Sequence, residues 1–156
     1  MTVARGVRSS TDRSSCSAGR RRQHCRSLRW LFAPPGQQPA DWSITRAKRV
    51  EATIRDDRSI VLVTEVDQQL AGFATVYLDL VSVRFGQRAW VEDLAVAPDR
   101  RSQDVGHALL ERAKSWARDR GAKRLGLESG AVRLDAHRFY EREQPDGHSR
   151  SFHWQL

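Results

Sequence analysis

No apolar run in this sequence approaches the ~20 residues needed to cross a bilayer. The longest, such as residues 60–63 and 94–97, hold four each, so no membrane partner is expected. Arginine and serine crowd the N-terminal region where a secretory leader would need a continuous apolar segment before a small-residue cleavage site. A cytoplasmic address is therefore expected. Cysteine is scarce. Cys16 and Cys25, accompanied only by His24, supply too few ligands for a structural zinc site, so no metal is expected. A disulfide between them would staple a segment with little core and would not persist in a reducing compartment, leaving free thiols as the expectation. Acidic residues are nearly missing from the first thirty positions, where eight arginines face Asp12 alone and carry +7 of the total +8. The rest of the chain is almost neutral, so the basicity belongs to an arm and not to a domain surface. That arm holds no aromatic residue before Trp30 for bases to stack on and no nucleic-acid motif, so nucleic acid is not an expected partner. Residues 1–26 read as a disordered, solvated arm, because too little apolar surface is available there to offset the entropy of ordering.

At 156 residues the chain supports one core, since a second would need roughly another hundred residues. A single domain over residues 27–156 is expected. Leu28, Trp30, Leu31 and Phe32 form a short apolar cluster that stops at Pro34-Pro35-Gly36. Residues 43–55 place Ile44, Ala47, Val50 and Ile54 at helical spacing. Residues 60–66 and 70–80 are β-branched and apolar, and Asp67-Gln68-Gln69 between them predicts a hairpin. A third strand is predicted over residues 88–96, ended by Pro98, which cannot donate to a ladder. The period then changes. Val105, Ala108, Leu109, Ala113, Trp116 and Ala117 mark a helix stopped at Gly121, and residues 123–128 supply a strand that completes a βαβ crossover. A second helix is predicted over residues 132–142 and a last strand over 151–156. These elements make an α+β sheet domain with helices packed on both faces.

The segment that carries chemistry is a strand ending near Val96, a polar loop, and a helix beginning after Asp104. Such a junction presents unpaired N–H groups and the positive end of a helix dipole, which suits a phosphate. Gly106 would allow close backbone approach, and Arg100 and Arg101 add charge. Gln103-Asp104-Val105-Gly106-His107-Ala108 resembles the R/Q-x-x-G-x-G/A signature of the GNAT acyltransferases. Upstream, Trp90-Val91-Glu92-Asp93-Leu94-Ala95-Val96-Ala97-Pro98 looks like that family's fourth strand, and Ala136-His137-Arg138-Phe139-Tyr140-Glu141 looks like its late helix. The resemblance covers about residues 43–142.

It implies an α/β/α sandwich with a mixed, mostly antiparallel twisted sheet splayed between its fourth and fifth strands. Acetyl-CoA would be the co-substrate, without a metal, and a small-molecule or peptide amine the acceptor. Main-chain groups of Leu94, Ala95 and Val96 would pair with the pantetheine arm. Arg101, Ser102, Gln103, Asp104, Val105, Gly106, His107 and Ala108 would surround the diphosphate, with Phe139 close by. Tyr140 matches the tyrosine that gives a proton to the departing thiolate; otherwise it is a packing aromatic.

An amine must lose a proton to attack, and Glu92 is the candidate base. Strict alternation puts it on one face with Trp90, Leu94 and Val96, where partial burial would raise its pKa, and Asp93 on the other. A carboxylate paired with a neighbouring arginine is the equally weighted alternative. His107 and His137 read as solvent-side helix residues, Trp116 as core, and Trp30 and Trp42 as either an acceptor wall or a sheet cover.

Four positions depart from the family pattern. Asp104 stands where glycine is usual, and a carboxylate within ~5 Å of a diphosphate costs on the order of a kilocalorie per mole or more. Arg133 stands where many members have asparagine before the late helix, Glu143-Gln144-Pro145 replaces a glycine-phenylalanine pair, and no first strand is visible in residues 1–40. Two further readings follow, a GNAT-like module that binds CoA weakly or not at all and a polyanion binder using the arginine-rich arm. Many relatives dimerise through terminal strands, so a homodimer stays open.

Overall fold

In the computed structural model, the described residues are 2–5 and 44–156. The sheet grows outward from one hairpin, β2 (Ser59–Val66) and β3 (Gln69–Leu78). Asp67 and Gln68 both take positive φ, 52° and 61°, which makes a two-residue connection whose twist matches that of the flanking strands. The turn is one residue tighter than the sequence predicts. β4 (Arg88–Val96) adds antiparallel to β3, and β5 (Arg124–Leu127) lies parallel to β4. Thr2–Arg5 form β1, antiparallel to β2, and the strand order is β1-β2-β3-β4-β5. The expectation of disorder through residue 26 is thus corrected for these four residues, which satisfy the otherwise open edge of β2. Cys16, His24, Cys25, the cluster at Leu28 to Phe32 and Trp42 lie outside the described residues.

Helix α1 (Ile44–Arg55) leads into β2, and the hydroxyl of Ser59 donates to the Thr53 carbonyl. Helix α2 (Val105–Asp119) is the crossover between β4 and β5, and α3 (Leu134–Arg142) follows β5. The predicted stripe is buried: Val105, Leu109, Ala113, Trp116 and Ala117 pack over Leu62, Ala74, Val76, Ala89 and Val91. Their contact is closest at Gly72, where an added Cβ would sit 2.6 Å from Val105 Cγ1 and 2.8 Å from Leu109 Cδ1. Gly121, at φ 78°, ends α2 as the pattern predicts. The opposite sheet face carries Val61 and Phe73, with Val63 and Leu70 against them.

Two readings change. The helix after β5 starts at Leu134, two residues later than predicted. Residues 151–156 form no strand: Phe152, Trp154 and Leu156 are exposed, and the tail is held near the sheet by Ser151, whose hydroxyl donates to Glu128 at 2.5 Å. Alternation alone cannot make a strand without a ladder partner. Among the described residues no helix is long and apolar enough to cross a membrane.

Candidate active site

The site begins with a defect in β4. Thr75 opposes Asp93 while the adjacent Val76 opposes Val91, so Glu92 is an extra residue, a β-bulge. Its first consequence is to reset the side-chain alternation. Ala89 and Val91 enter the α2 core, and Leu94 and Val96 pack against that same core. The expectation that Glu92 shares a face with Leu94 and Val96 is therefore corrected, since strict period two fails across a bulge. Partial burial of Glu92 is corrected as well. Its side chain is exposed and makes no ion pair or side-chain hydrogen bond among the described residues. Asp93 is the tethered carboxylate, taking a 2.8 Å hydrogen bond from the Thr75 hydroxyl while its own amide donates back to that oxygen at 3.1 Å.

The second consequence concerns the sheet. Pairing of β4 with β5 runs from Arg88 and Arg124 to Val91 and Leu127 and stops there. Beyond the bulge, Leu94, Ala95 and Val96 keep β3 as partner but, among the described residues, have no strand on the β5 side. The sheet is open at the place where the resemblance requires a splay. A cavity of about 100 Å³ occupies the opening, bounded by Glu92, Leu94, Ala95, Glu128, Arg133 and Tyr140, with Val91, Asp93 and Leu127 completing its wall.

Tyr140 is half-buried in this wall. Burial pushes its phenol pKa up, and the Arg133 charge partly offsets that, so at neutral pH the hydroxyl holds its proton. Its ring centroid lies 5.1 Å from that of Phe139. Burial also raises the pKa of Tyr77, assisted by the charges of Glu92, Asp79 and Glu128, which ties that residue to the acidic side of the opening. Glu128 and Arg133 were not selected as site residues from sequence. One signal was available for Glu128: parallel strands end at the same side of a sheet, so the residue following β5 faces the opening beside the end of β4.

The loop leading into α2 is exposed from Arg101 to Asp104, and both Ser102 (φ 59°) and Asp104 (φ 58°) take left-handed conformations. Asp104 provides no side-chain cap, and the first intrahelical acceptor is its carbonyl, taken by the Ala108 amide at 2.9 Å. The amides of Val105, Gly106 and His107 thus head the helix uncapped. Gln103 folds back, donating from Nε2 to the Asp99 carbonyl at 3.1 Å. Val105 is buried and Ala108 half-buried, so each can offer a ligand only its backbone.

Gly106 also has a reason beyond the one sequence suggests. An added Cβ there would meet the Phe139 ring at 3.1 and 3.2 Å and Val96 Cγ2 at 3.6 Å. The missing side chain admits Phe139 and so locks α3 to the start of α2, which carries Tyr140 to the opening. His107 is exposed, and its Nδ1 lies 2.8 Å from Glu143 Oε2. That hydrogen bond and the Glu143 charge raise the histidine pKa. Arg100 reaches Asp67 at 3.3 Å, and the exposed Arg101 lies 3.7 Å from Asp135. No cluster of metal-ligating side chains exists among the described residues.

The chain is thus an α+β fold with an open strand edge beside an uncapped helix start and a protonated phenol between them. Residues 23–144 match the acetyltransferase (GNAT) family, and the chain belongs to it. It is 32% identical over 96 residues to the uncharacterized N-acetyltransferase YhdJ of Bacillus subtilis (strain 168), a stretch covering 62% of this chain and 67% of that one. It is 39% identical over 87 residues to the streptothricin acetyltransferase of Streptomyces lavendulae, covering 56% of this chain but only 43% of the relative. Among solved structures, an aminoglycoside acetyltransferase from an uncultured soil metagenomic sample superposes with a TM-score of 0.72 at 17% identity, covering 99% of this chain and 94% of that one. The aminoglycoside N-acetyltransferase AAC(6')-Iy, solved with CoA, superposes with a TM-score of 0.71 at 15% identity, covering 86% and 90%. These relatives support an acyltransferase.

Proposed function

We propose that this protein transfers an acetyl group from acetyl-CoA to a primary amine by direct attack. The observation that carries the reading is the unpaired β5-side edge of Leu94, Ala95 and Val96, opening into the cavity that Tyr140 lines. Backbone groups on that edge can complete their hydrogen bonds with the amides of a pantetheine arm. The amides of Ser102 to Ala108 offer the diphosphate a helix N-terminus.

Glu92, exposed at the bulge, takes the proton of the incoming ammonium directly or through water. The neutral nitrogen forms a bond to the acetyl carbon and gives its second proton to water, the carbon–sulfur bond breaks, and its electron pair goes to sulfur. Tyr140 gives its proton to that sulfur, so the products are an acetamide and free CoA thiol. The wall also favours a cationic acceptor, because Glu92, Asp93 and Glu128 outnumber Arg133. Streptothricin, aminoglycoside and aminoalkylphosphonate acetyltransferases are among the similar proteins, which is consistent with a small amine.

Acetyl-CoA consumption measured across a panel of amines tests the reading. Thiol release that depends on one amine class is expected. Release no faster than buffer hydrolysis for every member would contradict it.

A further inference from the structure

The transfer step places a demand on Tyr140 that burial works against. A partly buried phenol holds its proton more tightly, and the phenolate it leaves behind is costly beside the carboxylates of Glu92, Asp93 and Glu128. Tyr140 has no hydrogen-bond partner for its hydroxyl among the described residues, so no neighbouring donor relieves that cost. One cation shares its cavity. Arg133 stands just before α3, making no side-chain cap, and precedes Tyr140 by seven residues, about two helical turns, and both residues line the opening. The other charged groups there are Glu92 and Asp93 from β4 and Glu128 after β5, all carboxylates and therefore unable to stabilise an anion. Arg133 makes no ion pair with any of them, nor with any other carboxylate among the described residues. Its charge also reaches Asp135, whose pKa is lowered first by the Ala136 amide and in smaller part by Arg101 and Arg133.

We propose that Arg133 is a positioning residue for the acid: from the rim of the cavity that both residues line, its positive charge stabilises the phenolate left when the proton passes to sulfur. The proposal rests on acetyl transfer with Tyr140 as acid, and it gives a role to a residue that departs from the family's usual asparagine. The step balances without another reagent. The phenol proton goes to the thiolate, the phenolate is held by a guanidinium that stays charged throughout, and a solvent proton restores the phenol after CoA leaves. The electrostatics agree in direction, since Arg133 is the one charged group that lowers the Tyr140 pKa against the larger effect of burial.

Two measurements test this, one independent of turnover. The chain has two tyrosines, so Tyr77→Phe leaves Tyr140 as the sole phenol for spectrophotometric titration. In that background Arg133→Gln is expected to raise the phenolate midpoint, and Arg133→Lys to restore much of the shift. In the otherwise native protein Arg133→Gln is expected to lower kcat about tenfold and to move the alkaline limb of its pH profile upward, with the KM for acetyl-CoA little changed. Arg133→Lys should recover most of the rate. An unchanged midpoint in Arg133→Gln, or a loss confined to KM, would overturn the proposal while leaving acetyl transfer intact. Absence of transfer by the native protein would instead sink the reading on which it rests, and the titration would still report whether the two groups are coupled.

Discussion

Replacing Tyr140 by phenylalanine is expected to lower kcat about a hundredfold while leaving the KM for acetyl-CoA nearly unchanged, the range typical of a lost general acid. The substitution keeps the ring that packs 5.1 Å from Phe139 and removes only the hydroxyl at the cavity wall. Fold and cofactor contacts should therefore survive, and the loss should fall on the step in which sulfur departs. Steady-state kinetics with acetyl-CoA varied at saturating amine will read both constants. Equal effects on kcat and KM, or none, would return Tyr140 to the status of a packing aromatic.

The second large effect is on the scaffold. Gly72→Ala is expected to destabilise the fold by about 2 kcal/mol, the usual cost of forcing extra volume into a packed core. The new Cβ would lie 2.6 Å from Val105 and 2.8 Å from Leu109, side chains that are 1% and 0% exposed and have no room to retreat. Either the core strains or α2 lifts from the sheet. Lifting would displace residues 102–108 and the Phe139 contact with Gly106, so cofactor affinity should fall along with stability. Thermal unfolding should show a melting temperature lower by on the order of 5 °C. A variant as stable as the native protein would mean that α2 does not bear on β3 at Gly72.

Much of this fold is legible in the residues. The hairpin, β4, the crossover helix and β5 follow from β-branched runs, a period that switches at Pro98, and glycine after the last helical turn. What periodicity could not supply was the bulge. One inserted residue at Glu92 leaves local composition untouched and shows only in pairing, yet it decides which of Glu92 and Asp93 is exposed and where β4 parts from β5. The fate of residues 151–156 was hidden for a related reason, because a strand depends on a partner edge that its own sequence does not contain. Thr2–Arg5 fall in a stretch whose arginine and serine content reads as disordered, and their pairing depends on the distant edge of β2.

The site was legible in kind more than in detail. The signature around Gly106 and the Phe139-Tyr140 pair located the loop and the phenol. That Gly106 also admits Phe139 needed the geometry. Glu128 belongs to no motif and Arg133 shows in sequence only as a departure from the family pattern, because both reach the cavity through the parallel placement of β5 and the start of α3.

Calorimetric titration of acetyl-CoA into the native protein and Asp104→Gly tests most directly whether the turn heading α2 cradles the diphosphate. Asp104 holds a left-handed backbone at φ 58° that glycine adopts without cost, and its carboxylate would oppose the bound charge. One-to-one binding in the native chain, tightened about fivefold or more in the variant, is the predicted result. No heat of binding in either protein, or an affinity unchanged or weakened by the glycine, would contradict it.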